Sequence, residues 1–361
     1  MTILDTATSA NAAATGSPHG RVGVWLVGAR GSVATAVAVG LHALATELAP
    51  PTGCTTAGPD FDRVPLPAFG DLVLGGHDIS TIPLVHRAQA LADSGMIPQR
   101  YVTAALAGLE QADAEIRPGY DPATHSGTQA EAVLPSSAVA ALAAIESGSA
   151  YACFTPSAGL ALPALRTLAV HRGIPFAGQD GKTGETLIRT ALAPMFGARG
   201  MHVHSWAGAN LLGGGDGATL ADPEAVRSKL ASKTRGLRSL VGEHVVAPLH
   251  IDNVPDLGDI KTAWDHIHAE GFLGSRITMQ TIWSAYDSML AAPLVLDIAR
   301  LLALADAAGD RGIVPELGFF FKDPWGSDVH DFGQQTTELR EWAQATGARL
   351  PAEARSVGTA R

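Results

Sequence analysis

Cysteine is nearly absent from this 361-residue chain, which contains only Cys54 and Cys153. The two lie far apart, and neither belongs to a CxxC pair or to a cysteine–histidine spacing typical of zinc sites. The sequence therefore gives no sign of a disulfide framework. It also lacks a signal-peptide pattern and an uninterrupted apolar run of the roughly 18 residues that a membrane span needs. We expect a cytoplasmic protein that does not span a membrane.

Positive charge is scarce as well, with 25 Lys and Arg against 35 Asp and Glu and a formal net charge of -10. Nucleic acids and anionic membranes attract basic surfaces, so neither is expected as a partner. A content of 46% hydrophobic and 17% charged residues is typical of a globular enzyme. Any phosphate site must then be a local basic pocket in an acidic protein.

The chain is long enough for two domains. Residues 1–20 lack a structural pattern and are expected to be a flexible tail. An apolar, β-branched run at Val22–Val27 is followed by a glycine turn and a helical stretch from Ser32 to about Leu48, and similar units alternate up to about residue 200. This alternation predicts an α/β fold: a Rossmann-like doubly wound parallel sheet over 21–200 plus a second α+β domain over 201–309. Residues from about 310 to 361 are expected to pack back on the first domain.

A G-x-x-G-x-x-A loop, Gly28, Gly31 and Ala34, lies between the first predicted strand and helix. Small residues let the backbone approach a pyrophosphate, and a helix N-terminus favours an anion, so the loop predicts a dinucleotide site. Asp78, after the next strand, carries a carboxylate suited to a ribose hydroxyl. The alternatives are a glycine turn with a packing role and an ordinary Asx turn. Residues assigned to the dinucleotide in this half are Gly28, Arg30, Gly31, Ser32 and Asp78.

Lysine is scarce in this chain, and every other strongly basic residue is an arginine. The five lysines all lie in the second half: Lys182, Lys229, Lys233, Lys261 and Lys322. A lysine can lose its proton when desolvated and offers a compact charge, which a guanidinium cannot do. We therefore interpret these lysines as functional, the alternative being a biased composition that left five at random.

Two lysine sequences have local features of their own. Lys182 lies in AGQDGKTGET (177–186), a glycine-rich strand-to-helix turn whose amides and hydroxyls suit a phosphate, although it is not a P-loop. Lys229 and Lys233 are four residues apart on a predicted helix and share a face. Their mutual repulsion would depress one pKa, as a general base requires, whereas the alternative is a solvated helix face.

The second half carries a series of blocks in one order: AGQDGKTGET (177–186), GGGDGATL (213–220), RSKLASK (227–233), LGDIKTAWDHI (257–267), EGFLG (270–274), DSMLAAPLVLD (287–297) and FFFKDP (319–324). In these blocks the chain resembles the inositol-3-phosphate synthases. The first half matches more loosely, through VGARGSVAT (27–35) and GGHDIS (75–80). It departs from the family in lacking a double asparagine in the glycine loop and in having His77 where tryptophan is usual.

The resemblance implies an NAD-dependent enzyme that acts on a hexose 6-phosphate as a homotetramer, with residues 201–309 serving catalysis and tetramerisation. The residues implied in catalysis are Lys229, Lys322, Lys261, Lys233, Asp216 and Asp259. Further cofactor contacts are implied for Asp180, Asp287 and Ser288. The substrate phosphate is assigned to Lys182, Thr183, Gly184, Thr186, Lys233 and Lys261. Lys229 is expected to act as acid/base at the C5 oxygen and Lys322 at the enolate or the attacked carbonyl.

The implied reaction is a redox-neutral cyclisation: oxidation at C5, enolisation at C6, intramolecular aldol closure and return of the hydride. We expect D-glucose 6-phosphate to give 1D-myo-inositol 3-phosphate. The alternatives are a cyclase that turns fructose 6-phosphate into a cyclopentane, a simple NAD-dependent sugar-phosphate dehydrogenase, and a catalytically dead NAD-binding scaffold.

Histidine pairs also raise the question of a metal. His202 and His204 share a strand face, and His266 and His268 are close in sequence. No third converging ligand is evident, so a metal stays unassigned, and a monovalent or divalent cation is left open because the resemblance allows one.

Overall fold

The computed structural model describes residues 2–5, 20–120, 134–213 and 236–351. The strands are β1 (Thr2–Asp5), β2 (Val22–Val27), β3 (Leu72–Asp78), β4 (Ile116–Pro118), β5 (Tyr151–Cys153), β6 (Pro175–Gly178), β7 (His202–Leu212), β8 (Leu249–Asn253), β9 (Ile260–Glu270), β10 (Arg276–Tyr286) and β11 (Gly312–Ile313). The helices are α1 (Ser32–Ala45), α2 (Leu84–Asp93), α3 (Gln99–Ala114), α4 (Ser136–Glu146), α5 (Pro163–Arg172), α6 (Glu185–Ala198), α7 (Asp287–Ala307) and α8 (Phe332–Arg349).

The first sheet has the order β11-β6-β5-β1-β2-β3-β4. All its pairs are parallel except those of β1, which runs antiparallel to both β2 and β5. Without β1, the order is that of a dinucleotide-binding sheet, and the chain reverses direction across the sheet between β2 and β5. The predicted α/β fold with a Rossmann-like doubly wound sheet is confirmed. In such sheets a ligand crevice opens at the reversal point, beyond the carboxyl ends of the strands.

The N-terminal residues differ in part from the expected tail over 1–20. Thr2–Asp5 forms strand β1, with Ile3 opposite Val24 in β2. Residues 6–19 lie outside the described part of the chain. The difference arises because β1 pairs through backbone groups, which composition does not reveal.

The second sheet has the order β10-β9-β7-β8 and is antiparallel except for the β7–β8 pair. One face packs on α6, where Phe196 and Ala193 join Trp206 and Ile267 in a buried core. The other face alternates into solvent along β10, with Ile282 75% exposed. This alternation is typical of an antiparallel sheet with one covered face.

Helix packing does not follow the boundary predicted near residue 200. Helix α6 lies before it yet packs on the second sheet, whereas α7 lies after it yet belongs to the core of the first sheet, through Ile298 and Leu301. Leu339 and Ala343 of α8 join that same core. The chain thus passes between the two units at the ends of α6 and α7, because each helix buries its apolar face on the sheet nearest to it.

Helix α7 is long and apolar enough to cross a membrane by length and composition, but 72% of its apolar window is buried inside the protein. A helix that is apolar on all sides is also typical of a protein core. Its burial against α1 and α8 accounts for its composition.

Candidate active site

A cavity of about 620 Å³ opens where the chain reverses direction across the first sheet. Its walls include Leu26 and Val27 at the carboxyl end of β2, and Cys153 and Phe154 at the end of β5. The cavity therefore occupies the position at which doubly wound sheets bind ligands.

One wall is the predicted glycine turn. Gly28 has φ +82°, a left-handed conformation that favours glycine, and a Cβ on Gly31 would come within 3.2 Å of the Gly28 carbonyl. Helix α1 starts at Ser32 with neither a capping side chain nor an acidic residue in its first turn. Its first N–H groups have no intrahelical acceptor and lie at the cavity wall. This wall fits the pyrophosphate of a dinucleotide, since it presents N–H donors, a positive helix end and close backbone approach.

Arg30 and Asp78, also assigned to the dinucleotide, make contacts behind this turn and do not belong to the cavity wall. The two carboxylate oxygens of Asp78 accept the backbone N–H groups of Arg30, at 2.6 Å, and Ser80, at 2.7 Å. The Arg30 guanidinium donates to Asp113 at 2.8 Å and to the Ser80 carbonyl at 2.9 Å. Asp78 thus fixes the shape of the turn, and its contact with a ribose stays a prediction.

His77, near the end of β3, is hydrogen-bonded to the same turn. Its carbonyl accepts the N–H groups of Gly28 and Ala29, at 2.9 and 3.1 Å. Trp25 Nε1 donates to His77 Nδ1 at 2.7 Å, and burial, with the nearby Arg117, lowers the pKa of His77. A neutral imidazole with Nδ1 as acceptor therefore stands beside the glycine turn.

The opposite wall carries residues from the second unit. Asp259, Lys261, Asp287 and Ser288 all line the cavity. Lys261 Nζ lies 3.5 Å from one oxygen of Asp287, whose other oxygen accepts the Thr183 hydroxyl at 2.6 Å. The structure thus brings four of the predicted residues to one wall, and Thr183 reaches that wall through its hydrogen bond to Asp287.

Lys322 and Asp180 do not line the cavity, but Asp180 holds Lys322 at the turn that follows β6. Its ammonium donates to Asp180 Oδ1 at 2.8 Å, and both side chains are 11% exposed. A backbone hydrogen bond joins the same two residues: the Lys322 N–H donates to the Asp180 carbonyl at 2.7 Å. The Asp180 carboxylate is therefore the ion-pair partner of a nearly buried ammonium.

Lys182 lies in the same turn but points away from the cavity. It is 3% exposed, and its ammonium donates to Gln335 Oε1 of α8 at 2.5 Å. Burial lowers its pKa from 10.5 to about 7. Gly184 is buried at the start of α6, and Thr186 is half-buried in its first turn. The assignment of Lys182, Gly184 and Thr186 to the phosphate stays a prediction, since none of them lines the cavity.

Asp216, Lys229 and Lys233 lie outside the described residues. Their predicted roles at the C5 oxygen and the phosphate stay predictions.

A buried ionic network at the start of α6 is absent from the sequence predictions. Arg189 lies 2.6 Å from Glu185 and 2.7 Å from Asp265, and the Trp206 indole donates to Asp265 at 2.8 Å. Burial raises the pKa of Asp265 despite Arg189. The network anchors α6 to the second sheet directly after the turn that carries Asp180 and Lys182. The spacing of four residues between Glu185 and Arg189 on a helix is the sequence feature from which part of this network could have been predicted.

Several hydroxyl groups of the cavity wall were likewise not predicted from the sequence. Ser136 and Ser137 at the start of α4, with Thr155 and Ser157 after β5, face Gly28 and Ser32 across the chain reversal. Short polar residues after a strand are too common in loops to identify a site from sequence.

Histidines cluster on the second sheet. The His202 ring stacks on His244 at 4.3 Å between centroids and meets His204 at 4.8 Å, while His204 lies 3.1 Å from Glu270. Among the described residues, no group of three or more His, Cys, Asp or Glu side chains is arranged to hold a metal ion. No described residue is therefore assigned to a cation.

Residues 184–288 match the family model of myo-inositol-1-phosphate synthase. Inositol-3-phosphate synthase 1 of Bacteroides thetaiotaomicron is 34% identical over 203 residues, which are 54% of this chain and 46% of that protein. In this region the chain is similar to the inositol-3-phosphate synthases. The matched region spans less than half the length of this curated relative.

Solved structures show the same fold over most of the chain. Inositol-3-phosphate synthase from Caenorhabditis elegans has a TM-score of 0.75 at 20% identity and covers 92% of this chain and 86% of its own. A myo-inositol-1-phosphate synthase-related protein from Thermotoga maritima has a TM-score of 0.69 at 19% identity, with coverage of 90% and 98%. The family fold therefore extends well beyond the region in which sequence identity is clear.

Proposed function

We propose that this protein is an NAD-dependent, redox-neutral cyclase that converts D-glucose 6-phosphate to 1D-myo-inositol 3-phosphate. The observation that carries the proposal is one cavity with two chemically different walls. The glycine turn and the uncapped start of α1 suit a dinucleotide, and Lys261 with Asp287 and Asp259 faces them. Similarity to the inositol-3-phosphate synthases over part of the chain supports the reaction class.

The bound NAD+ would supply a hydride acceptor at C5 and return that hydride after ring closure. The protein residues would move protons and stabilise oxyanions. Lys229 is proposed as acid/base at the C5 oxygen. Lys322, paired with Asp180 at 2.8 Å, is proposed to stabilise the enolate or the carbonyl under attack.

Lys261 is proposed to hold the substrate phosphate together with Lys233 and the turn 182–186. Its ammonium lies at the cavity wall 3.5 Å from Asp287, which leaves donors for a second anion. Asp287 also accepts the Thr183 hydroxyl, so phosphate and cofactor residues share one hydrogen-bonded group. Such a link would orient the sugar relative to the dinucleotide.

The test is to incubate the purified protein with NAD+ and either glucose 6-phosphate or fructose 6-phosphate, and to identify the product by NMR. An inositol phosphate from glucose 6-phosphate, formed without accumulation of NADH, is expected. A cyclopentane from fructose 6-phosphate alone would overturn the substrate but keep the cyclase. Stoichiometric NADH would indicate a dehydrogenase, and NAD+ binding without turnover a scaffold.

Lys261→Met is the matched variant for this test. It removes the ammonium and keeps an unbranched side chain, so turnover should fall by at least about 100-fold because the phosphate loses a charged partner. NAD+ affinity should change little, since the glycine turn is intact. Equal turnover in the variant and the unmodified protein would contradict the role of this wall.

A further inference from the structure

Lys182 occupies a buried slot beside the candidate active site. Its ammonium donates to Gln335 Oε1 at 2.5 Å and lies 5.9 Å from the ring centres of both Phe319 and Phe332. Lys182 and Gln335 are each 3% exposed. Within the described ranges, no carboxylate lies at ion-pair distance from this ammonium. A buried lysine with a neutral acceptor is unusual, because burial of a charge is costly unless an opposite charge accompanies it.

The orientation of Gln335 is set by two backbone carbonyls. Its Nε2 donates to the Val329 carbonyl at 2.7 Å and to the Gly318 carbonyl at 3.3 Å. Both amide hydrogens are thereby used, so the amide oxygen must face the lysine. Gln335 therefore presents an acceptor in one fixed position.

The slot joins the two segments that carry Asp180 and Lys322. The Lys182 N–H donates to the Phe320 carbonyl at 2.8 Å, and Gly181 forms a β-bridge with Phe321. On one side of Lys182 the Asp180 side chain holds Lys322, and on the other side the Thr183 hydroxyl holds Asp287. A movement of Lys182 would therefore displace both contacts.

Other titratable groups lie on the elements around the slot, and three of them have partners other than Lys182. Those on the surrounding elements are Asp180, Glu316, Asp323, Asp328, His330, Asp331 and Glu338. Asp180 binds Lys322, Asp331 accepts the Gln334 N–H at the start of α8, and Glu338 accepts from the Gln334 side chain. Gln335 is the side chain that accepts a hydrogen bond from the Lys182 ammonium.

We propose that Gln335 is a positioning residue of the active site: a neutral acceptor that holds Lys182 and, through it, the turn that carries Asp180 and Thr183. The proposal rests on the proposed function in that Lys182 must serve the reaction. Because the acceptor is neutral, the lysine can exchange its proton near neutral pH, in line with its pKa of about 7. A carboxylate at the same position would keep the lysine permanently charged.

The direct test is a lysine-side-chain NMR titration of protein labelled with ¹³Cε-lysine. Only five lysines are present, so Lys182→Arg assigns the signal by its absence. Gln335→Glu should raise the midpoint of Lys182 by at least about one pH unit, because an opposite charge in a buried site favours the ammonium. Gln335→Met should lower it, because the ammonium loses its acceptor.

Gln334→Glu is the matched control, since Gln334 is the exposed neighbour on the same helix and should leave the midpoint unchanged. Gln335→Asn has a side chain one methylene shorter and replaces the other two variants if Gln335→Glu or Gln335→Met does not fold. It is expected to lower the titration midpoint of Lys182. A Lys182 midpoint unaltered in the folded Gln335 variants would overturn the proposal.

The pH profile of kcat/KM separates positioning from a purely structural role. The limb of the profile that reports Lys182 should shift to higher pH in Gln335→Glu and to lower pH in Gln335→Met. A purely structural role of Gln335 would instead lower kcat/KM by the same factor at every pH. A profile that keeps its limbs while the NMR midpoint shifts would overturn the role in catalysis. Absence of turnover in the unmodified protein would refute the proposed function, and the NMR midpoints would still decide whether Gln335 controls Lys182.

Discussion

At the scale of single residues, the three described lysines have three different environments. Lys322 is paired with Asp180, Lys261 with Asp287 at a longer distance, and Lys182 with the amide of Gln335. Burial lowers the pKa of Lys182 to about 7. The scarcity of lysine in the sequence marks these residues as chemically special, but the partner of each ammonium comes from another segment of the chain.

Lys322→Arg should reduce kcat by at least about 100-fold. Arginine keeps the charge beside Asp180, but its planar guanidinium spreads that charge and cannot place a compact cation where the ammonium lies. Steady-state turnover with saturating NAD+ and hexose phosphate measures the effect. Arg349→Lys, at an exposed ion pair with Asp310, is the control for exchanging cation types and should be silent. Near-normal turnover of Lys322→Arg would show that Lys322 acts by charge alone.

At the scale of elements, α7 connects the candidate site to the first core. Its first residues, Asp287 and Ser288, line the cavity, and Asp297 further along is fully buried. Asp297 accepts the N–H of Thr55 at 2.6 Å and both the N–H and the hydroxyl of Thr56, at 3.2 and 2.5 Å. The helix therefore holds the loop at residues 54–56 in place by a buried carboxylate.

This carboxylate should make stability depend on pH. Burial raises the pKa of Asp297 from 3.8 to about 6, so the folded protein retains a proton that the unfolded chain has lost between about pH 4 and pH 6. The free energy of unfolding therefore falls as pH rises through this window, by up to about 3 kcal/mol. Asp297→Asn has no titrating group at this position, so its free energy of unfolding should not show this fall. The difference in free energy of unfolding between the unmodified protein and Asp297→Asn should therefore shrink as the pH rises from 4 to 6.

Urea unfolding at several pH values measures the difference. Asp306→Asn, on the same helix but exposed in an ion pair with Arg311, is the control and should follow the unmodified protein. A constant gap between the Asp297→Asn and unmodified curves from pH 4 to 6 would contradict the prediction.

The contact of β2 with β3 gives a second prediction at this scale. A Cβ on Gly76 would collide with the Leu26 carbonyl and come within 2.6 Å of Ala29 Cβ. Gly76→Ala should therefore destabilise the protein by about 1 to 3 kcal/mol through overpacking and should weaken NAD+ binding at the adjoining turn. Gly40→Ala, inside α1 with open space around it, should instead stabilise by up to about 1 kcal/mol. Thermal unfolding and an NAD+ titration check both, and a harmless Gly76→Ala would refute the close contact.

At the scale of the whole molecule, the outer face of the second sheet is a candidate subunit contact. Ile282 is 75% exposed and lies opposite Trp264, itself 37% exposed, in the β9–β10 register. Apolar side chains paired on an open sheet face are typical of association surfaces. The homotetramer implied by the sequence resemblance and the expected cytoplasmic location both stay predictions.

Ile282→Glu should therefore yield a smaller species in light scattering, because a charge on this face opposes burial against another subunit. Val170→Glu on α5 is the control, since Val170 is 55% exposed but lies on the first unit. Equal particle sizes for Ile282→Glu and the unmodified protein would exclude this face as a subunit contact.

Local features were predictable from sequence because they depend on neighbours in the chain. The apolar run at Val22–Val27, the turn at Gly28 and the start of α1 at Ser32 match the prediction, since strand pattern, glycine conformation and helix start are short-range properties. The family blocks and the lysine residues are likewise written in the sequence. Helix α8 was missed as an element, because its low apolar content gives a weak pattern.

Tertiary structure alone decided how these parts meet. Strand β1 enters the chain reversal through backbone pairing, α6 and α7 pack on opposite sides of the predicted boundary, and Gln335 reaches Lys182 across 153 residues. Such contacts carry no local signature, because each side chain is acceptable in its own segment and acquires its environment only on folding. Protonation at the site depends on these contacts, so sequence determined which groups are available and the fold determined their charge.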